Sequence, residues 1–245
     1  MNSIAENVKR IQENIASAAD RAGRDPAAVR LIGVTKTVGV EQIRALLAAG
    51  VTALGENRPQ ALAEKYEAIG RPDGQAAGQT AEQAIGLQAE WHLIGHLQTN
   101  KIKLILDKTV LIHSVDSLHL AETLNRQAAL LQKNADILIE INIAGELAKQ
   151  GAAPQEAAAL AEQILPLTHV KMRGFMCVAP YVENPEKNRI YFAKMREIFL
   201  DVKEKFGHNI GLDHLSMGMT NDYEIAIEEG ATMVRIGTGI FGARI

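Results

Sequence analysis

Val29-Arg30-Leu31-Ile32-Gly33-Val34-Thr35-Lys36 is a short, mostly apolar run that stops at a lysine. A run of this length and content reads as a buried strand. Moving outward, similar runs recur at Thr52–Gly55, Trp91–Gly95, Val110–Val115, Ile137–Ile143, Met172–Val178, Leu212–Met217 and Met233–Ile236. Helical patterns separate them at Glu41–Ala49, Pro59–Ile69, Asn100–Leu106, Leu118–Gln132, Gln155–Leu165, Glu186–Phe206 and Asp222–Glu229. Strict alternation of strand and helix implies a parallel sheet covered by helices. Eight such units in 245 residues match a (β/α)8 TIM barrel, an α/β fold in which residues 1–245 form a single domain. An open, doubly wound sheet is the alternative, and the count of eight favours closure.

Residues 3–21 carry Ile4, Val8, Ile11 and Ile15 at helical spacing, with Ser3 as N-cap and Gly23 as stop. The sequence ends soon after the eighth strand, so the barrel is expected to lack its usual last helix. The N-terminal helix is expected to cover that gap. One stretch breaks the pattern: residues 71–90 are rich in Gly, Ala and Gln and read as a flexible loop on the face opposite the chemistry.

Composition removes several classes of function. At 47% hydrophobic and 22% charged, the chain can bury a full core and is not a disordered one. Twenty-six basic against 29 acidic residues, a net charge of −3, give no sign of a nucleic-acid partner. The single cysteine, Cys177, excludes a disulfide framework and a cysteine-rich zinc site. No apolar run suffices to span a bilayer, and charges interrupt the N-terminus where a signal peptide would be apolar. A cytoplasmic protein, monomeric by default, is the expectation.

In a TIM barrel the chemistry sits at the C-terminal ends of the strands. The polar residues expected there are Lys36, Asn57, His96, Asp116, Asn142, Ser216, Arg235, Gly237 and Thr238. A lysine enclosed at a strand end can become a nucleophile toward an aldehyde, although most strand-end lysines are simply solvated. Arg235-Ile236-Gly237-Thr238-Gly239-Ile240-Phe241-Gly242 contains G-x-G-x-x-G, but no room remains for the βαβ unit of a dinucleotide site. What survives is a turn whose backbone N–H groups and Thr238 hydroxyl can cradle a phosphate. Ser216, placed at the end of the seventh strand, would face the same phosphate. His92 and His96 read as a core or hydrogen-bonded pair rather than a metal site, and Cys177 as packed.

These segments together resemble the single-domain PLP homeostasis proteins, the YggS/PROSC family. The resemblance rests on Gly33-Val34-Thr35-Lys36, Leu54-Gly55-Glu56-Asn57, Trp91 through Lys101, His113 through Ser117, Ser216 through Met219 and Val234 through Thr238. It runs nearly end to end. It implies the alanine-racemase-like barrel and pyridoxal 5'-phosphate as cofactor, held as a Schiff base on Lys36. It further implies phosphate binding by Ser216, Gly237 and Thr238, a place for Asn57 near the ring, and Arg235 facing the pyridine nitrogen. A guanidinium there keeps that nitrogen unprotonated and makes PLP a weak electron sink. Thr220 stands where many members have serine, and Gly239 where many have alanine.

Two enzymatic alternatives remain at this point. An amino-acid racemase needs a second acid/base group, which the resembled racemases take from an additional domain. Tyr223 is the best tyrosine for that part, with packing its more ordinary role. A Schiff-base aldolase would use Lys36 without PLP. A PLP carrier without robust turnover is the preferred reading, with other B6 vitamers and apo PLP enzymes left open as partners.

Overall fold

The computed structural model describes residues 3–69, 89–146, 150–207 and 210–242. The loop read at 71–90 falls outside these residues, apart from its last two. Eight parallel strands close into a barrel in chain order: β1 (Arg30–Val34), β2 (Ala53–Glu56), β3 (Glu90–Leu93), β4 (Thr109–Val115), β5 (Ala135–Ile141), β6 (Val170–Cys177), β7 (His214–Met219) and β8 (Met233–Ile236). Closure is direct, because β1 pairs with β8 from Arg30↔Met233 to Gly33↔Ile236. That pairing removes the open-sheet alternative. The described helices are α1 (Ile4–Arg21), α2 (Val40–Ala48), α3 (Pro59–Ile69), α4 (Ile102–Ile105), α5 (Leu118–Leu130), α6 (Ala157–Ile164), α7 (Arg189–Phe206), α8 (Tyr223–Glu228) and α9 (Thr238–Phe241). Three of the expected helices begin as 3-10 turns, at Thr99–Lys101, Pro154–Glu156 and Pro185–Asn188.

Burial divides the barrel into two cores, as alternating strand side chains require. The outer core, between strands and helices, is large and includes Trp91, Phe175, Phe192, Leu46 and Leu62. The inner one is a small apolar plug of Ile32, Ala53, Leu111, Leu138, Met176 and Met233. Below the plug, at the N-terminal ends of the strands, Arg30 pairs with Glu90, and Arg173 Nε with Asp136 at 2.7 Å. A cleft of about 530 Å³ lined by Gln12, Arg30, Gly50 and Thr52 opens at that same end, away from the expected chemistry. Above the plug, the interior turns polar.

The N-terminal helix fills the place the sequence assigns it. Ser3 and Glu6 form a reciprocal capping box, Glu6 N–H to Ser3 Oγ at 3.2 Å and Ser3 N–H to Glu6 Oε2 at 2.7 Å. Its apolar face buries Val8, Ile11 and Ile15. The helix packs between α2 on one side and α8 and α9 on the other, the slot of the helix that would follow β8. Asn7 Nδ2 donates to the Ile240 carbonyl at 2.9 Å, and Asn14 Nδ2 to Tyr223 Oη at 3.0 Å. Arg21 bridges to Glu224 and Glu228. The one-turn helix α9 is a feature the sequence reading did not foresee; it opens directly from β8 at Thr238.

Ile11 is 3% exposed and lies against the turn that carries Gly239. Ile11→Ala is expected to lower unfolding free energy by about 2–5 kcal/mol, the range for emptying a buried aliphatic site. Urea titration checks it; a midpoint within error of the parent would mean that α1 is not part of the cooperative core.

Candidate functional site

Lys36 lies two residues beyond β1, in the turn that leads to α2. Thr35 faces outward, since its Oγ1 lies 3.3 Å from Glu56 Oε2 beneath α3. Alternation along β1 therefore turns Val34 to the interior side, and Lys36, in the turn just beyond it, is half-buried. Val34 touches the opposite lip of the seam: a Cβ built on Gly237 would lie 3.4 Å from Val34 Cβ. The segment carrying Lys36 and the turn carrying Gly237 thus adjoin at the C-terminal mouth.

Arg235, on β8, points into the barrel and is 4% exposed. Its Nη1 donates to Ser216 Oγ at 2.6 Å and its Nη2 to the Cys177 carbonyl at 2.8 Å. A guanidinium has more N–H donors than these two bonds use. Burial lowers its pKa from the usual arginine range, opposed by the carboxylates of Glu140 and Asp222. Ser216 Oγ also lies 3.0 Å from His113 Nδ1, and His113 Nε2 lies 3.0 Å from His92 Nδ1. Burial pushes both imidazoles down, His92 to about 3 and His113 well below the usual value, so both are neutral at physiological pH. One direction of donation leaves the fewest orphans: Ser216 donates to His113, and His113 donates to His92. Only His92 Nε2 then lacks a partner. The Ser216 proton is thereby spent on His113, and its oxygen accepts from Arg235.

That geometry corrects the place given to Ser216. The sequence reading ended the seventh strand at Met217, whereas β7 runs to Met219. Ser216 lies opposite Met233, four residues before Gly237 on the neighbouring strand. At roughly 3.3 Å per residue, this is about 13 Å below the turn. The pairing then slips between Ser216 and Met219, which meets Arg235. Gly218 makes the slip possible: its φ is +89°, and a Cβ there would lie 2.6 Å from Ala226 Cβ. The hydroxyl that does reach the turn belongs to Thr220, whose Oγ1 accepts from Gly239 N–H at 3.2 Å.

At the rim, the Gly237 carbonyl accepts from the N–H groups of Ile240 and Phe241. The N–H groups of Gly237 and Thr238 precede these first helical donors and are not used by α9. Thr238 is exposed. Across the mouth, Asn57 follows β2 and is exposed. Its backbone passes so close to the next loop that a Cβ on Gly95 would lie 2.4 Å from the Asn57 carbonyl oxygen. The β6 and β7 loops are tied together by Asn188 Nδ2, which donates to Pro180 O at 2.9 Å and Asp222 Oδ2 at 2.7 Å. Asp222 Oδ1 in turn accepts from Met219 N–H at 2.7 Å.

Several residues outside the expected set join the site. Glu140 alternates with Leu138 on β5 and so faces the interior; burial raises its carboxyl to about 7, against the pull of Arg235. The parity of Ile137–Ile143 would have found it, as the parity of β4 would have found His113. His92 pairs with His113 rather than with His96, which has left β3 and lies 4.0 Å from Asp116. Among the described residues no cluster of His, Cys, Asp and Glu is arranged to hold a metal. Cys177 is buried, its thiol pushed up to about 12. Tyr223 turns to α1 and not to the mouth.

Known proteins resemble the chain over nearly its whole length. Residues 7–245 match the family model described as alanine racemase, N-terminal domain. A protein of Aquifex aeolicus named pyridoxal phosphate homeostasis protein is 44% identical over 239 residues, covering 98% of this chain and 97% of its own length. Among solved structures, an unknown protein from Bifidobacterium adolescentis superposes with a TM-score of 0.87 at 36% identity, covering 97% of this chain and 94% of the other. PipY of Synechococcus elongatus PCC7942, solved with PLP bound, gives 0.77 at 32% identity, covering 98% of this chain and 100% of PipY. The chain is a member of the alanine racemase N-terminal domain family and belongs, with its full-length relatives, to the pyridoxal phosphate homeostasis proteins.

Proposed function

We propose that this protein binds pyridoxal 5'-phosphate at the C-terminal mouth of its barrel and serves intracellular PLP homeostasis. The names of its relatives and the PLP-bound PipY support the reading. The observation that carries it is Arg235: a buried cation with unspent donors, set in the interior beneath a mouth whose two lips hold a lysine and open backbone N–H groups. A flat heteroaromatic with a ring acceptor, an aldehyde and a phosphate matches that donor set.

In this reading Lys36 supplies the amine, and Arg235 donates to the ring nitrogen. Gly237 N–H, Thr238 N–H and the Thr238 hydroxyl take the phosphate, and Asn57 lies beside the ring. When bound, the cofactor would supply an aldehyde, the electrophile to which the Lys36 amine is suited as nucleophile. Ser216 is assigned to holding Arg235, and Thr220 to the rim position first given to Ser216. An always-charged guanidinium at the ring nitrogen disfavours protonation there, which suits holding PLP better than carbanion chemistry. A cytoplasmic place of action, a monomeric single domain over 1–245, exchange with apo PLP enzymes and binding of other B6 vitamers belong to the same proposal.

Borohydride reduction of the PLP-loaded protein followed by peptide mapping is expected to place the cofactor on Lys36, and Lys36→Ala to lose the visible absorbance. Full absorbance in that variant would reject the assignment. Thr238 is exposed, so Thr238→Ala is expected to keep the melting temperature. It should weaken PLP binding about ten- to a hundredfold, the worth of one hydrogen bond to a charged group. Equilibrium dialysis reads this, and an unchanged dissociation constant would reject the cradle. Glu140 titrates near 7 in the folded chain against about 4.5 for an ordinary glutamate. The folded form therefore binds the extra proton between those values, and stability falls as pH rises through that window. In the apo protein, Glu140→Gln is expected to melt with the parent near pH 4.5 and above it near pH 8. The same difference at both pH values would contradict the buried, proton-holding carboxyl.

A further inference from the structure

The segment that presents Lys36 is held from outside the barrel by a buried ion pair. Glu56, the last residue of β2, is 1% exposed and lies under α3. Its Oε2 accepts from Lys65 Nζ at 2.5 Å and from Thr35 Oγ1 at 3.3 Å, and its Oε1 accepts from Asn57 N–H at 2.9 Å. Lys65 Nζ also donates to the Thr35 carbonyl at 2.7 Å. That carbonyl belongs to the peptide bond that begins Lys36. Thr35 N–H is fixed too, donating to Gly55 O at 2.9 Å. The carboxylate and ammonium thus grip one residue immediately before Lys36 and the backbone of Asn57, on the two neighbouring strands whose tips flank the mouth.

The local backbone needs such a grip. Thr37, one residue past the lysine, has φ +64°, a left-handed conformation that a β-branched residue adopts only against its steric preference. A turn of this kind persists where its surroundings over-determine it. An ion pair is also a poor way merely to fill space beneath a helix. Removing two charges from water is costly, and a well-packed apolar pair is often as stable or more so. Apolar side chains could occupy the volume but could not hold the Thr35 carbonyl, the Thr35 hydroxyl and the Asn57 N–H together.

The geometry points to Glu56 and Lys65 as positioning residues that set where the Lys36 amine stands, without touching the cofactor themselves. The inference rests on Lys36 being the PLP-linked amine.

The test uses Glu56→Gln/Lys65→Met, which removes both charges together so that neither is left buried alone. Leu160→Ala is the comparison, a buried apolar site on α6. In the apo protein, trace acylation followed by mass mapping gives the reactivity of Lys36 relative to Lys9, whose side chain is 80% exposed. In the loaded protein, transfer to a PLP scavenger gives the dissociation rate. The double variant is expected to raise the Lys36/Lys9 labelling ratio severalfold and to speed PLP loss on the order of tenfold, about one charge-assisted hydrogen bond. Leu160→Ala is expected to lower the melting temperature and leave both readings at parental values. If the double variant matches Leu160→Ala in labelling and PLP loss, the pair is only structural and the inference is overturned. If borohydride fixes PLP on the parent protein at a residue other than Lys36, the reading of the site falls and the inference with it.

Discussion

A guanidinium enclosed in a barrel has to be answered by the groups around it, and Arg235 is answered only in part. Ser216 and the Cys177 carbonyl each take one bond, and among the described residues no carboxylate hydrogen-bonds to it. Glu140 and Asp222 act on it as charges at longer range. The rest of the interior follows from this cation. The apolar plug separates it from the ion pairs at the other end, and the neutral histidines beneath it hold Ser216 in place without adding positive charge. A buried charge with donors to spare is costly in an empty protein and favourable once an acceptor arrives. The site is therefore polarised toward a ligand that brings an acceptor into the barrel.

Around that centre the mouth is built from opposite kinds of element. The β1–α2 turn presents a side-chain amine on a strained backbone, whereas the β8–α9 turn presents main-chain N–H groups on glycine. Barrel closure brings them side by side, since β1 and β8 are distant in sequence and adjacent in space. The N-terminal helix supports this seam from outside, through Ile11 against the Gly239 turn and Asn7 on the Ile240 carbonyl. A helix that only completes the barrel in topology also braces the wall that would carry the phosphate.

Much of this was legible in the sequence because strands buried on both faces leave unmistakable apolar runs, and eight of them alternating with helices admit few architectures. Strand ends were less legible, and one mattered. Extending β7 to Met219 moved Ser216 from the rim to the interior, where it holds Arg235 rather than facing the turn. The cause is a slip in pairing at Gly218, and single-sequence patterns carry no information about register. Lys36, Asn57, Gly237 and Thr238 stand at the mouth as expected, because their place depends only on following a strand. The Glu56–Lys65 pair was invisible for the opposite reason. The sequence pattern assigns no role to either side chain, and only the packing of α3 over β1 and β2 brings them together.

The ring nitrogen of bound PLP reports most directly on whether Arg235 is the organising group. With PLP labelled by 15N at that atom, the nitrogen resonance distinguishes a free lone pair accepting from a guanidinium from a protonated pyridinium. An unprotonated nitrogen across the neutral pH range is the expected result. A pyridinium signal at neutral pH would mean that the cofactor does not meet Arg235, and the arrangement described for the mouth would be wrong.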